Sequence, residues 1–164
     1  MKLSQLKRRT TSETIAWLLA TWWGSGCASK APGTVGSLCS VPLVLLAVWF
    51  GLPVFLGATI MLFFAGWWAT HIVLKTQNRQ DPGFVVIDET IGQSVTFLLV
   101  AATPISWYTV VCGFALFRFF DIVKIWPASF FDKSVHNAFG VMMDDVVAGV
   151  YAAVVLYGLT MFIF

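Results

Sequence analysis

Between Lys30 and Lys75 the chain carries no Asp, Glu, Lys or Arg. Two further charge-free runs follow, Thr90–Phe117 and Val146–Phe164. Runs of this length leave little choice of fold. Backbone polar groups among that many apolar side chains must be satisfied internally, and helices do this within a single segment. Gly51 and Pro53 divide the first run, which predicts a short helix over about Leu38–Phe50 and a longer one over about Val54–Leu74. The longer one matches the roughly 20 residues needed to cross a bilayer. The shorter would cross only with part of the preceding loop, or lie incompletely inserted. Charged residues make up 11% of the chain and mean hydropathy is +0.84, whereas a globular domain carries about 25% charge. The expected class is all-α: a single-domain, membrane-associated helical bundle with broken or re-entrant helices and a polar active site at helix ends. A basic arm over residues 1–13 precedes a helical domain over 14–164.

The few charges carry the information about function. A net charge of +2 gives no case for a nucleic-acid partner. Lys2, Lys7, Arg8 and Arg9 make a basic start that the positive-inside rule holds in the cytoplasm. Glu13, Gly24 and Lys30 interrupt the first apolar stretch, so a cleavable signal peptide is not expected. Cys27, Cys39 and Cys112 are odd in number and lack ligand spacing, which argues against a disulfide framework or a zinc site. Thr14–Trp23 reads as a short helix lying along an interface with Trp17, Trp22 and Trp23. The segment Gly24–Leu38, GSGCASKAPGTVGSL, reads as an irregular loop. It either wraps an anion with backbone N–H groups and Lys30, or simply connects two helices. His71 reads as a capping or surface residue at the end of the longer helix.

Against this apolar background stand two acidic pairs, Asp88–Glu89 in VVIDETIG and Asp144–Asp145 in MMDDVVAG. Acids in such surroundings are costly unless paired or bound to a metal. Capping of a helix start accounts for one acid of a pair but not for both pairs. Gly92 lies four residues after Asp88, and Gly149 four after Asp145. At that helical spacing a small residue leaves room for a ligand or a second helix. A third acid, Asp121, sits in RFFDIVKIW, where Arg118, Asp121 and Lys124 recur every third residue and predict one polar edge of a helix ended by Pro127. Phe130–Gly140 reads as a polar connection carrying Asp132, Lys133, His136 and Asn137, and the last helix is expected to open at Asp144–Asp145. His136 could protonate a leaving oxygen or bind a phosphate, or be an ordinary interfacial histidine.

These acids can share one site only on a topological condition. If Thr90–Phe117 crossed the membrane once, Asp88–Glu89 and Asp121 would lie on opposite faces. A break near Pro104 gives two half-length helices that turn back and bring both ends together. With that turn in place, Asp88, Glu89, Asp121, Asp144 and Asp145 form an all-oxygen donor set without a cysteine–histidine cluster, which favours Mg²⁺ over zinc. Mg²⁺ works characteristically on phosphates, and Arg118 and Lys124 can hold phosphate oxygens. A lipid with a phosphate headgroup, attacked in line by water, fits such a site at a membrane interface. An aspartyl-phosphate intermediate is the alternative route. An ion-binding membrane transport protein using helix-end carboxylates is the alternative function.

Four blocks, GSGCASKAPGTVGSL, VVIDETIG, FRFFDIVKIWP and FDKSVHNAFGVMMDDVVAGV, occur in the order found in the phosphatidylglycerophosphatase A family, and the chain resembles that family over about Trp17 to Tyr157. The family comprises bacterial membrane enzymes that dephosphorylate phosphatidylglycerophosphate to phosphatidylglycerol. The resemblance implies Mg²⁺ dependence, an all-helical fold and an inner-membrane location. It places the family's acidic residues on Asp88, Glu89, Asp121, Asp144 and Asp145, and its basic and polar positions on Lys30, Arg118, Lys124 and His136. Where the family often has Ser-Pro this chain has Ala28-Ser29, and where it often has Lys-Pro-Trp-Pro this chain has Lys124-Ile125-Trp126-Pro127. Both departures change loop stiffness rather than charge.

Overall fold

The structure is a computed structural model that describes residues 10–78 and 82–162. The basic residues Lys2, Lys7, Arg8 and Arg9 lie outside the described residues. The described chain is all-helical: α1 (Thr11–Ala20), a single 3₁₀ turn (Ser25–Cys27), α2 (Pro32–Trp49), α3 (Leu52–Gln77), α4 (Ile87–Phe97), α5 (Trp107–Val123), α6 (Ala128–Ser134) and α7 (Ala138–Phe162). No strand occurs among the described residues.

The helix starts follow local chemistry. Thr10 caps α1, its hydroxyl accepting from Glu13 N while Glu13 reaches back to Thr10 N, a reciprocal capping box. That Thr-x-x-Glu signal starts the helix three residues before the expected Thr14. On its inner face Ala16, Ala20 and Trp22 are buried in a core shared with Ala69 and Val73 of α3, while Ile15 and Trp23 stand exposed. The α2 helix begins at Pro32, inside the stretch expected to be a loop. Proline is well placed at the first helical position, where its missing N–H breaks no bond. The following Gly33, Gly36 and Ser37 are not slack. A Cβ on Gly36 would lie 2.7 Å from Val86 Cβ, and Ser37 is fully buried.

Three helices, Pro32–Trp49, Leu52–Gln77 and Ala138–Phe162, are long and apolar enough to cross a membrane. In α3 only 22% of the apolar stretch is buried within the protein, and Leu56, Ile60, Met61, Phe64 and Trp67 face outward. Outward apolar surface on that scale marks contact with lipid or another apolar partner rather than water. The α4 helix, at 11 residues, is about 16 Å long and too short to cross.

The Thr90–Phe117 run does return on itself. It breaks into α4 and α5, joined by a segment that holds Pro104, and Ser106 caps α5 by accepting from Thr109 N. The far end of this hairpin is closed by Phe97, Val100 and Ala101 packed with Val44, Phe55 and Leu156. Two expectations at the other end change. The α5 helix ends at Val123 rather than near Pro127, because Lys124 takes a left-handed conformation (φ 49°) that turns the chain aside. The α7 helix starts at Ala138, so Asp144 and Asp145 lie about two turns inside it rather than at its opening. Asn137 supplies that start, its Oδ1 accepting from Phe139 N and Gly140 N. Part of the expected polar connection, Ala128–Ser134, is the short helix α6.

An acidic pocket at the meeting of four helices

The glycines that follow each acidic pair turn out to be each other's neighbours. A Cβ on Gly149 would run into the carbonyl oxygen of Gly92, and a Cβ on Gly92 would come within 2.6 Å of the Asp145 carbonyl oxygen. The α4 and α7 backbones therefore touch where both helices carry their acids. Of the two uses proposed for the small residues, room for a second helix is the one found. Phe117 of α5, fully buried with Ala148 and Ala152, packs beside this crossing.

The crossing brings Asp88, Glu89, Asp121, Asp144 and Asp145 around a pocket of about 150 Å³. Lys124 and His136 line it as well. Asp88, Glu89 and Asp145 each offer one carboxylate oxygen within 4.8 Å of the other two. All three donors are hard oxygens of acids held well inside the protein, which is the donor chemistry a Mg²⁺-type cation selects. Asp88 and Asp145 are 9% and 4% exposed, so their charges are poorly screened by water.

Two cations hold the remaining acids. Arg118 Nη1 lies 2.6 Å from Asp121 Oδ2 and 4.0 Å from Glu89 Oε1, and it also donates to Ser37 Oγ at 3.3 Å. Here Gly33 matters, since a Cβ there would strike Glu89 Oε1. The first turn of α2 is therefore a wall of the site through its backbone. Lys124, turned aside by its left-handed backbone, bridges Asp132 Oδ1 at 2.6 Å and Asp144 Oδ2 at 2.5 Å. Asp132 was read only as part of a polar connection. Its role beside Lys124 had no signal in sequence beyond an opposite charge eight residues away.

The protonation states follow from this crowding. Burial pushes the Asp88 carboxyl well above its usual range, and the neighbouring Glu89 charge adds to the effect. Glu89 is raised to about 8, first by burial and then by the charges of Asp145 and Asp121, against the pull of its hydrogen bond with Asp88 and the Arg118 charge. Burial alone would lower Lys124, but its bonds to Asp132 and Asp144 outweigh this and hold the ammonium charged. Carboxylates this reluctant to ionise together are a site in need of positive charge.

Lys30 is exposed and stands outside the residues that line the pocket. His71 is also exposed, in the last two turns of α3. Gln93 of α4, which the sequence did not single out, is fully buried close to the site.

Fold and pocket together define a class: a helical protein of membrane type whose clustered acids and paired cations suit phosphate chemistry. Comparison with known proteins makes this specific. The phosphatidylglycerophosphatase A family model matches residues 18–160. Over 144 residues the chain is 40% identical to phosphatidylglycerophosphatase A of Haemophilus influenzae, covering 87% of this chain and 86% of that one. It is also 40% identical over 145 residues to phosphatidylglycerophosphatase A of Escherichia coli, covering 85% and 80%. No solved structure matches the chain. The chain belongs to the phosphatidylglycerophosphatase A family, and it is an enzyme, a phosphatase.

Proposed function

We propose that this enzyme hydrolyses the terminal phosphomonoester of phosphatidylglycerophosphate, releasing phosphatidylglycerol and inorganic phosphate, with Mg²⁺ as cofactor. The observation that carries the proposal is the convergence of five acids from α4, α5 and α7 on one pocket with Lys124. The names of the similar bacterial enzymes support the substrate.

Asp88, Glu89 and Asp145 are the residues to hold the cation, since their oxygens already face one another across less than 4.8 Å. Bound there, Mg²⁺ supplies Lewis-acid polarisation of the phosphoryl oxygens. The protein's own groups do the rest. Arg118 fixes Asp121 and Lys124 fixes Asp144, so these two carboxylates cannot swing away as the substrate enters, while Arg118 stands 4.0 Å from Glu89. Lys124, which lines the pocket, also offsets the charge gathering on the equatorial oxygens. A carboxylate takes the proton of the attacking water as its oxygen bonds to phosphorus. The ester P–O bond breaks on the opposite side, and the leaving oxygen of phosphatidylglycerol takes a proton from His136 at the exposed rim of the pocket. Lys30 is exposed and does not line the pocket, so no part of the step is routed through it.

The apolar outer faces of α2, α3 and α7 support insertion in a membrane. The basic start of the sequence supports a bacterial inner-membrane placement with the pocket on the cytoplasmic side. Phosphate release from phosphatidylglycerophosphate in detergent micelles, with Mg²⁺ and with chelator, tests the proposal. Wild type should be active only with Mg²⁺, and Asp145→Asn should lose at least about 10²-fold in kcat. Activity that survives chelation would sink the metal; an Asp145→Asn enzyme as fast as wild type would sink the site.

A further inference from the structure

Buried polar side chains nearly always find a hydrogen-bond partner, and an exception calls for a reason. Here four unpartnered buried atoms fall on three residues beside the acidic pocket: Glu89 Oε2, Arg118 Nε, and both the Oε1 and Nε2 of Gln93. Gln93 is fully buried. An amide left bare in this way destabilises the fold that holds it. The buried hydroxyls of Thr90, Ser94 and Thr96 on the same helix each donate to a backbone carbonyl, and a methionine of similar volume in place of Gln93 would leave no polar group unpaired there.

The placement of Gln93 indicates what its amide is for. It lies four residues after Glu89 on α4, hence on the same helical face and one turn away. Gly92, just before it, lies against the Phe117 ring, just before Arg118. Glu89 and Arg118 meet against the first turns of α2, Glu89 beside Gly33 and Arg118 on Ser37, and Gln93 lies one turn further along the Glu89 face of α4. Their chemistry is complementary: Gln93 offers a donor for the bare Glu89 oxygen and an acceptor for the bare Arg118 N–H.

We propose that Gln93 is a positioning residue of the acidic site: its amide donates to Glu89 and accepts from Arg118 in the loaded enzyme, fixing the Glu89 carboxylate in register with Asp88 and Asp145. This rests on the proposal that the pocket is the active site. In the free enzyme the amide is held unspent, so its cost is borne there and recovered when cation and substrate draw Glu89 into place. Gln93 touches neither, and acts only through Glu89 and Arg118.

The test uses the full-length enzyme in detergent with Gln93→Met, which keeps volume and removes hydrogen bonding, and Gln93→Asn, which keeps the amide but withdraws it by one methylene. Kinetics are read beside thermal unfolding with and without Mg²⁺. Gln93→Met should unfold at the wild-type temperature or higher without Mg²⁺, gain less stability than wild type when Mg²⁺ is added, and lose about tenfold or more in kcat with KM little changed. Gln93→Asn should show the same loss of kcat and of Mg²⁺-induced stabilisation. Wild-type kcat and wild-type Mg²⁺ stabilisation in Gln93→Met would overturn the inference. So would failure of both variants to fold, which would make the amide part of the scaffold. A wild-type enzyme inactive on phosphatidylglycerophosphate would instead remove the functional proposal beneath it, and the inference with it.

Discussion

Gly92→Ala is a one-carbon perturbation whose consequences can be worked from the structure. The added Cβ would lie 2.6 Å from the Asp145 carbonyl oxygen and 2.7 Å from Phe117 Cζ, against an ordinary contact distance of 3.4 Å or more. The Phe117 ring is fully buried and the carbonyl belongs to the α7 backbone, so neither can yield alone. To make room, α4 and α7 must separate by roughly 0.8 Å. Alanine gains up to about 1 kcal/mol over glycine in helix propensity, while overpacking costs about 1–3 kcal/mol or more. The net expectation is a loss of about 1–2 kcal/mol. The larger effect falls on catalysis. Asp88 and Glu89 ride on α4 and Asp145 on α7, so the separation opens the oxygen triad itself. A misplacement near 1 Å can cost on the order of 10²-fold in rate, and a 10- to 100-fold fall in kcat is expected here. Phosphate release and thermal unfolding of the same preparations provide the assay. Gly158→Ala is the control, since a Cβ there meets nothing within 4 Å and should leave activity unchanged. Wild-type activity in Gly92→Ala would refute the backbone contact as the element that sets the spacing of the acids.

Lys124→Met should leave Asp144 and Asp132 without their shared cation. Lys124 is only partly buried, so a stability loss of about 1–3 kcal/mol is expected rather than the 3–5 of a fully buried pair, with kcat falling more steeply than stability; chemical denaturation beside phosphate release checks both. Glu89, raised from 4.5 to about 8 in the folded protein, gives a pH signature. The folded state binds more protons than the unfolded state in that window, so metal-free protein should lose stability as pH rises from about 4.5 to 8. Added Mg²⁺ should restore more stability at pH 8 than at pH 5, and a metal-free unfolding temperature that climbs across this range would contradict the assigned direction.

The helical class and the approximate positions of α3, α4 and α5 were legible because charge-free runs punctuated by Gly51, Pro53 and Pro104 admit few alternatives. The returning hairpin was legible for a different reason: acids at both ends of one run could act together only if the run turned back. What escaped were features in which packing reverses a local signal. Gly33 and Gly36 signal a loop, yet they lie in a close-packed helix against Glu89 and Val86. Asp144 and Asp145 look like the opening of a helix, but Asn137 caps it earlier. Lys124 fits the three-residue rhythm of Arg118 and Asp121, and only its left-handed backbone shows that it leaves their helix to serve Asp144 instead. Gln93 gave no sign at all, since an amide's lack of partners is a property of three-dimensional surroundings.

The contact between Gly92 and Gly149 also bears on the order in which the molecule can be assembled. The α4–α5 hairpin emerges from the ribosome before α7, yet part of its cover belongs to α7: Gly149 against Gly92, and Ala148 and Ala152 beside Phe117. Until α7 arrives, Gly92 lacks the backbone it lies against, and Asp88 and Glu89 lack the Asp145 oxygen that completes their triad. The arrival of α7 therefore completes both the Gly92 contact and the carboxylate triad.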